Sequence, residues 1–297
     1  MSRPARPGAG PLVGAHMSAA GGLPRAVERA VAAGCRALQV FTKSSNQWAG
    51  KPISGEEASV FRTAAAEAGI SSLVSHSAYL INLASSDAVV RARSVTALVD
   101  EIARCAATGI PHLVLHPGSH MGDGEEAGMD RVARGLDEAL SRAETGVEVL
   151  LETAAGQGAC LGHELSQLAE MRRRADAKDR VAFCLDTCHV HAAGYDVVSR
   201  DGWRRLVDEA DRTLGLSRIR VVHANDSKKE RGCRVDRHER IGRGAIGEAG
   251  FWNLMNEPAL AEVPKILETP KDEAGLWDRE GLALLRRLAR RKAPRGR

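Results

Sequence analysis

Eight short apolar runs recur along the chain at near-regular intervals, and seven of them end in a residue able to bind a metal. They close at His16, Thr42, His76, His116, Glu152, Asp186, His223 and Glu268, in steps of 26, 34, 40, 36, 34, 37 and 45 residues. Each step is the length of a strand, a helix and two loops. That is the cadence of a single (β/α)8 TIM barrel, an α/β fold that gathers its chemistry at the carboxyl ends of the strands. Runs such as residues 113–115 and 147–151 are apolar without alternation, as expected of strands covered on both faces. Between them, apolar spacing predicts helices over 23–33, 56–68, 87–108, 126–144, 163–175, 201–214, 248–260 and 278–291. The first three run into Gly34, Gly69 and Gly109, residues suited to a left-handed helix end.

A chain of 297 residues with 43% hydrophobic content fits one barrel domain rather than two. The barrel is expected over residues 12–285, with a disordered N-terminal extension at 1–11 and a basic tail at 286–297. No run approaches the roughly 20 apolar residues that span a bilayer, and the start has no apolar segment of a secretory signal. A cytoplasmic protein with no membrane partner is expected. Six cysteines without a C-x-x-C pair point to reduced thiols. Cys184 and Cys188 flank Asp186 and read as packing residues. The net charge of +4 conceals an asymmetry: seven Lys or Arg in the last twelve residues and two Arg in the first eleven leave the body at about −5. A basic tail is commonly a solvated segment, but beside a nucleic-acid enzyme it adds salt-sensitive phosphate affinity.

The ligand inventory carries more weight as a set than any member does. A single His ending an apolar run is more often a hydrogen-bonded rim residue than a ligand. Here His76, His116, Glu152, Asp186, His189, His223, Asp236, His238 and Glu268 supply five imidazoles and four carboxylates. Imidazole-rich sets suit zinc or another late divalent metal, whereas magnesium sites rely on oxygen and water. Nine donors exceed one tetrahedral ion and fit three if a carboxylate bridges. The segment 225–247 is long and basic, follows strand seven, and carries Asp236 and His238. It reads as a lid that meets both metal and an anionic substrate. His16 is placed to orient a ligand or water. Lys43 and Lys228 are candidate phosphate contacts, and His112, His120, His163 and His191 have no ligand role.

The runs GAHMSAAGG (14–22), FTKSSNQW (41–48), SHSAYLINLAS (75–85), LHPGSH (115–120), ETAAGQG (152–158), CLDTCHVHAAGYD (184–196), VVHANDSK (221–228), DRHERIGRGAIG (236–247) and ILETP (266–270) resemble endonuclease IV, a family of zinc-dependent apurinic/apyrimidinic (AP) endonucleases. The resemblance covers residues 12 to about 285 in order. It implies base-excision repair of double-stranded DNA containing abasic sites. The phosphodiester 5′ to the lesion would be hydrolysed by metal-activated hydroxide, leaving a 3′-hydroxyl and a 5′-deoxyribose phosphate, with 3′-end trimming as a further activity. It also implies three Zn2+ ions, with Mn2+ able to occupy one position. His76, His116 and Glu152 would hold the first and Glu152, Asp186, His223 and Glu268 the second, so that Glu152 bridges them as the catalytic carboxylate. His189, Asp236 and His238 would hold the third. Tyr79 and Leu80, with Asn46, Gln47 and Trp48, match the positions that probe the duplex, and a monomer is implied.

Two positions depart from the family pattern. Asn46 stands where the family often has Arg, so base-stack penetration there should be weaker. Thr153-Ala154 replaces Asn-Thr after the glutamate, which alters the hydrogen bonds supporting the metal ligands. Two other readings compete. Sugar isomerases and epimerases of the same barrel superfamily also use a metal with carboxylates, and a fold alone does not exclude them. A non-catalytic lesion-binding protein would retain the ligands only for stability. Nicking of an abasic duplex separates the first, and single-turnover cleavage the second.

Overall fold

The computed structural model describes residues 10–289. Eight strands, β1 Val13–His16, β2 Ala37–Val40, β3 Ser72–His76, β4 His112–Leu115, β5 Glu148–Glu152, β6 Val181–Asp186, β7 Ile219–His223 and β10 Lys265–Leu267, close into a barrel. All eight neighbouring pairs are parallel, with β10 returning to β1. Two short strands, β8 Asp226–Ser227 and β9 His238–Glu239, pair antiparallel outside the barrel.

Side chains alternate between two apolar layers. Ala37, Val74, Val114, Leu150, Ala182, Cys184, Val221 and Ile266, two from β6 and one from each of six other strands, fill the barrel interior. The opposite faces of the strands pack against the surrounding helices in a larger core that includes Phe61, Leu98, Leu136, Phe183, Phe251 and Leu285. Cys184 is thus a core residue, and burial pushes its thiol up to about 12. The cysteines of the described residues are all free.

The helices α1 Leu23–Ala33, α2 Gly55–Glu67, α3 Ala88–Thr108, α4 Glu125–Arg142, α5 Leu165–Arg174, α6 Thr187–Ala193, α7 Arg200–Thr213, α8 Gly247–Met255 and α9 Leu276–Leu288 follow the predicted order. Asp87 caps α3 by accepting from the N–H groups of Val89 and Val90 at 2.7 and 3.2 Å, and Gly109 ends it at φ 72°. Four details differ from the sequence expectation. Helix α6 has no counterpart among the predicted helices. Helix α8 stops at Met255, before a separate 3-10 turn at Pro258–Leu260. Helix α9 runs to Leu288, past the boundary expected at 285. The second strand ends at Val40 rather than at Thr42. Of the two expected tails, residues 1–9 and 290–297 lie outside the described residues. No helix among the described residues is long and apolar enough to cross a membrane.

Candidate metal centre

Strand register brings the ligand candidates to one level at the barrel mouth. Asp186 pairs with His223, and Glu152 with Cys184, at the carboxyl ends of β5, β6 and β7. The β6 strand then passes directly into α6, with Asp186 as its N-cap: Oδ1 accepts from the His189 N–H at 2.9 Å. One carboxylate therefore starts the helix and places His189 above the mouth.

The nine candidates fall into three donor groups, His76/His116/Glu152, Glu152/Asp186/His223/Glu268 and His189/Asp236/His238. Within each group one donor atom per residue lies within 4.8 Å of the others. Glu152 belongs to two of them and divides its oxygens accordingly. Oε2 lies 3.3 Å from His76 Nε2 and 3.1 Å from His116 Nε2, while Oε1 lies 2.6 Å from His223 Nδ1. Asp186 Oδ2 stands between the second and third groups, 3.9 Å from His223 Nδ1 and 3.7 Å from His238 Nε2. Asp236 reaches His189 Nε2 at 3.3 Å and His238 Nε2 at 3.2 Å.

The opposite ring nitrogens are tied down. His76 Nδ1 donates to Ser77 O at 2.8 Å, His189 Nδ1 to Thr153 O at 2.7 Å, His238 Nδ1 to Glu268 O at 3.2 Å, and His223 Nε2 to Gln39 Oε1 at 2.8 Å. A proton fixed on that side leaves the nitrogen facing the carboxylates as the lone-pair donor, the arrangement in which imidazole binds a metal. His238 Nε2 is buried, with the Asp236 carboxylate at 3.2 Å but out of line for a hydrogen bond. This donor chemistry fits a cluster of divalent ions.

Electrostatics point the same way. Burial would raise the Glu152 carboxyl, but His223, His116 and His76 outweigh it and hold it well below the usual carboxylate range. Burial pushes Asp186 up. It also drives the His116 imidazole down to about 4, so that ring is neutral at physiological pH. Burial opposes charge on His238 as well, yet Asp236 and Asp186 hold its pKa up at about 9. Cys184 and Cys188 also fall within reach of site carboxylates and imidazoles, but burial pushes both thiols up. A thiol that keeps its proton is a poor ligand.

Other residues hold the site, and of these Gln39, Asn225 and Asp226 carry no signal of their own in the sequence. Gln39, from β2, donates to Glu268 Oε1 at 2.6 Å. Asn225 donates to Asp186 Oδ2 at 2.6 Å and accepts from the Glu268 N–H at 2.7 Å. Thr153 Oγ1 accepts from the Asp186 N–H at 2.9 Å. Asp226 is buried and gathers the N–H groups of Ser227, Gly242, Gly244 and Ile246 at 2.8 to 3.0 Å, closing the loop that bears Asp236 and His238. A Cβ at position 244 would stand 2.3 Å from Ser227 O and 2.5 Å from Asp226 Oδ1, so only glycine fits there. His16 Nδ1 lies 3.0 Å from Gln39 Nε2 and 3.6 Å from Glu268 Oε1, at the edge of the second group.

A cavity of about 440 Å³ opens over the site, lined by His76, His116, His189, Asp236, His238 and Glu268 among others. A cleft of about 960 Å³ adjoins it, sharing Tyr79 and Glu268. Tyr79, 64% exposed, stands between the two. Its ring meets Phe41 and His76 edge-on at 5.5 and 5.8 Å. Its N–H donates to Ser45 O at 3.1 Å, joining the loops after β3 and β2. Asn46 and Gln47 are exposed on the β2 loop and Leu80 is half-buried. Trp48 packs against the core with the Arg93 guanidinium 4.4 Å over its ring. Lys43 is not available to a phosphate: its ammonium is buried against Glu101 at 3.1 Å and donates to Trp48 O at 3.0 Å. Lys228 is exposed.

Residues 27–288 match the family described as xylose isomerase-like TIM barrel. A protein of Trichlorobacter lovleyi named "Probable endonuclease 4" is 48% identical over 277 residues, covering 93% of this chain and 99% of the relative. One of Geobacter sp. (strain M21) with the same name is 46% identical over 279 residues, covering 93% and 98%. The crystal structure of endonuclease IV from Thermus thermophilus superimposes with a TM-score of 0.84 at 35% identity, covering 94% of this chain and 98% of that one.

Proposed function

Because the chain belongs to the endonuclease IV family of xylose isomerase-like TIM barrels, we propose that it is an AP endonuclease, hydrolysing the phosphodiester 5′ to an abasic site in duplex DNA. The products would be a 3′-hydroxyl and a 5′-deoxyribose phosphate, with trimming of damaged 3′ ends as a second use of the same site. It would work as a cytoplasmic monomer. The observation that carries this reading is the three-group convergence at the barrel mouth, with the two Glu152 oxygens divided between the first two groups.

His76, His116 and Glu152 would hold one Zn2+; Glu152, Asp186, His223 and Glu268 a second; His189, Asp236 and His238 a third, with Mn2+ admissible at one of the three positions. When bound, such ions supply positive charge that polarises the phosphodiester and acidifies water. The residues do the rest. Four carboxylates against three divalent ions leave a net charge of +2, suited to an anionic diester. With ions in place of their second protons, the tethered imidazoles would be neutral, and their backbone and amide partners fix their direction, which spares reorganisation during the reaction. Tyr79, with Leu80, Asn46, Gln47 and the edge of Trp48, would face the duplex. An abasic nucleotide leaves the stack most cheaply because its base is already missing.

The test is a duplex carrying one stable abasic analogue. Incision should fall 5′ to the lesion, survive brief EDTA treatment because most of the ligands are buried, disappear on prolonged stripping and return with Zn2+. Glu152→Gln should abolish incision, spare most DNA affinity and lower the zinc content of the purified protein. Near-normal rates in that variant would remove Glu152 from the bridging position.

A further inference from the structure

Among the described residues only two other than glycine take a left-handed backbone, Met121 at φ 56° and Arg234 at φ 53°. L side chains adopt that conformation at a cost, and where surrounding structure enforces it, function is a frequent reason. Both residues lie on loops of the barrel mouth, Met121 after β4 and Arg234 within the loop that carries Asp236. A cavity of about 370 Å³ lies between their loops: Ser119, two residues before Met121, and Asp236, two residues after Arg234, both line it, together with His116, Cys160 and His189.

Each tip is held firmly while its side chain is left free. Under Met121, Asn82 accepts from the Ser119 N–H at 3.0 Å and donates to Ser119 O at 3.1 Å. The His120 N–H donates to Ala159 O at 3.0 Å, and His120 Nδ1 accepts from the Gly124 N–H at 3.1 Å. The Met121 side chain is nevertheless 63% exposed. Under Arg234, the carbonyls of His191 and Ala192 in α6 accept from the N–H groups of Gly232 and Arg234 at 3.0 and 2.9 Å. Arg234 is exposed, and its guanidinium has no partner among the described residues.

We propose that Met121 and Arg234 are a pair of duplex-contacting tips that frame the third donor group. Met121 packs its thioether on a base or sugar face uncovered when the helix opens, and Arg234 binds a backbone phosphate. This rests on the DNA reading above. An unbranched apolar side chain suits a wedge against unstacked bases, and a guanidinium without an internal acceptor suits a phosphate.

Glycine substitutions test it without the usual risk to folding, because glycine relieves a left-handed backbone. Met121→Gly and Arg234→Gly should unfold at or above the parent temperature yet bind an abasic-analogue duplex more weakly, measured by fluorescence anisotropy across a salt series. Met121→Gly should lose about ten-fold in affinity with the salt slope unchanged. Arg234→Gly should lower the slope of log affinity against log salt by about one. Met121→Leu and Arg234→Lys should recover most of the binding. Parent-like binding by both glycine variants, or binding lost only in step with stability, would overturn the proposal. Parent protein that neither binds nor nicks the duplex would overturn the DNA reading itself, and this pairing with it.

Discussion

Gln39 Oε1 lies 2.8 Å from His223 Nε2, while the amide nitrogen of the same side chain lies 2.6 Å from Glu268 Oε1. One neutral amide thus orients two members of the second donor group, from a strand that contributes no ligand candidate. Gln39→Leu keeps the volume and removes both bonds. It should weaken retention of the second metal by about 10- to 100-fold, read as zinc lost during a chelator titration, with the far-UV spectrum unchanged. Parent-like retention would mean that packing alone orients the ring.

The Asp226 carboxylate closes the loop 225–247 by collecting backbone N–H groups rather than by meeting a cation. Asp226→Ala leaves those donors buried without an acceptor, at a cost of about 2–4 kcal/mol. Urea unfolding should register that loss. The zinc content should fall by about one ion per chain, because Asp236 and His238 ride on the freed loop. Full zinc content in the variant would show that the loop holds its shape unaided.

In the metal-free protein, His238 contributes stability that is complete below pH 6.5 and fades as pH climbs through about 9, since its folded pKa is the raised one. A divalent ion entering the third group must displace that proton. Zinc added to stripped protein at pH 7.5 should therefore release protons, counted by calorimetry in two buffers of different ionisation heat. His238→Asn should lower the count by about one. His116, driven down to about 4, has no proton to give at that pH. An unchanged count would take His238 out of the ligand set.

Lys265 is a buried cation at the start of β10, donating to Leu260 O and, at 3.2 Å, to Ala261 O. Burial lowers its pKa from 10.5 to about 8. Between those values the unfolded chain holds a proton that the folded one has shed, so stability at this position rises with pH across the window. Below pH 8 the full cost is about 3 kcal/mol. Lys265→Met should gain most over the parent near pH 7, offset by about 1 kcal/mol for the lost hydrogen bonds. Urea unfolding at a series of pH values should show that advantage shrinking between pH 8 and 10.5. A difference independent of pH would place the ammonium in contact with water.

The barrel is legible because apolar runs ending in ligand-type residues recur at the length of a βα unit, and helix α1 matches its predicted span residue for residue. Six members of the groups can be named for the same reason, since imidazoles and carboxylates at strand ends announce themselves; His189, in α6, and Asp236 and His238, in the loop after β7, are legible by residue type and by the family resemblance instead. Their supports cannot. Gln39 and Asn225 are neutral amides whose partners lie 184 and 39 residues away, a pairing that only the closed sheet creates. Helix α6, seven residues long, is buried almost throughout and so shows no amphipathic stripe. Lys43 reads as a phosphate contact because its partner Glu101 sits in a distant helix, where local patterning gives no hint of an ion pair. Trp48 likewise carries no sign in the sequence of the guanidinium that covers it.

The reciprocal bonds between Asn82 and Ser119, with the bridge from Ser119 to Cys160 and the bond from Tyr79 to Ser45, stitch four successive loops into one rim. A mouth sewn together in this way has little give, and behaves as a die rather than a jaw. Deformation is then left to the nucleic acid, and the work of fitting depends on how stiff the base steps beside the lesion are.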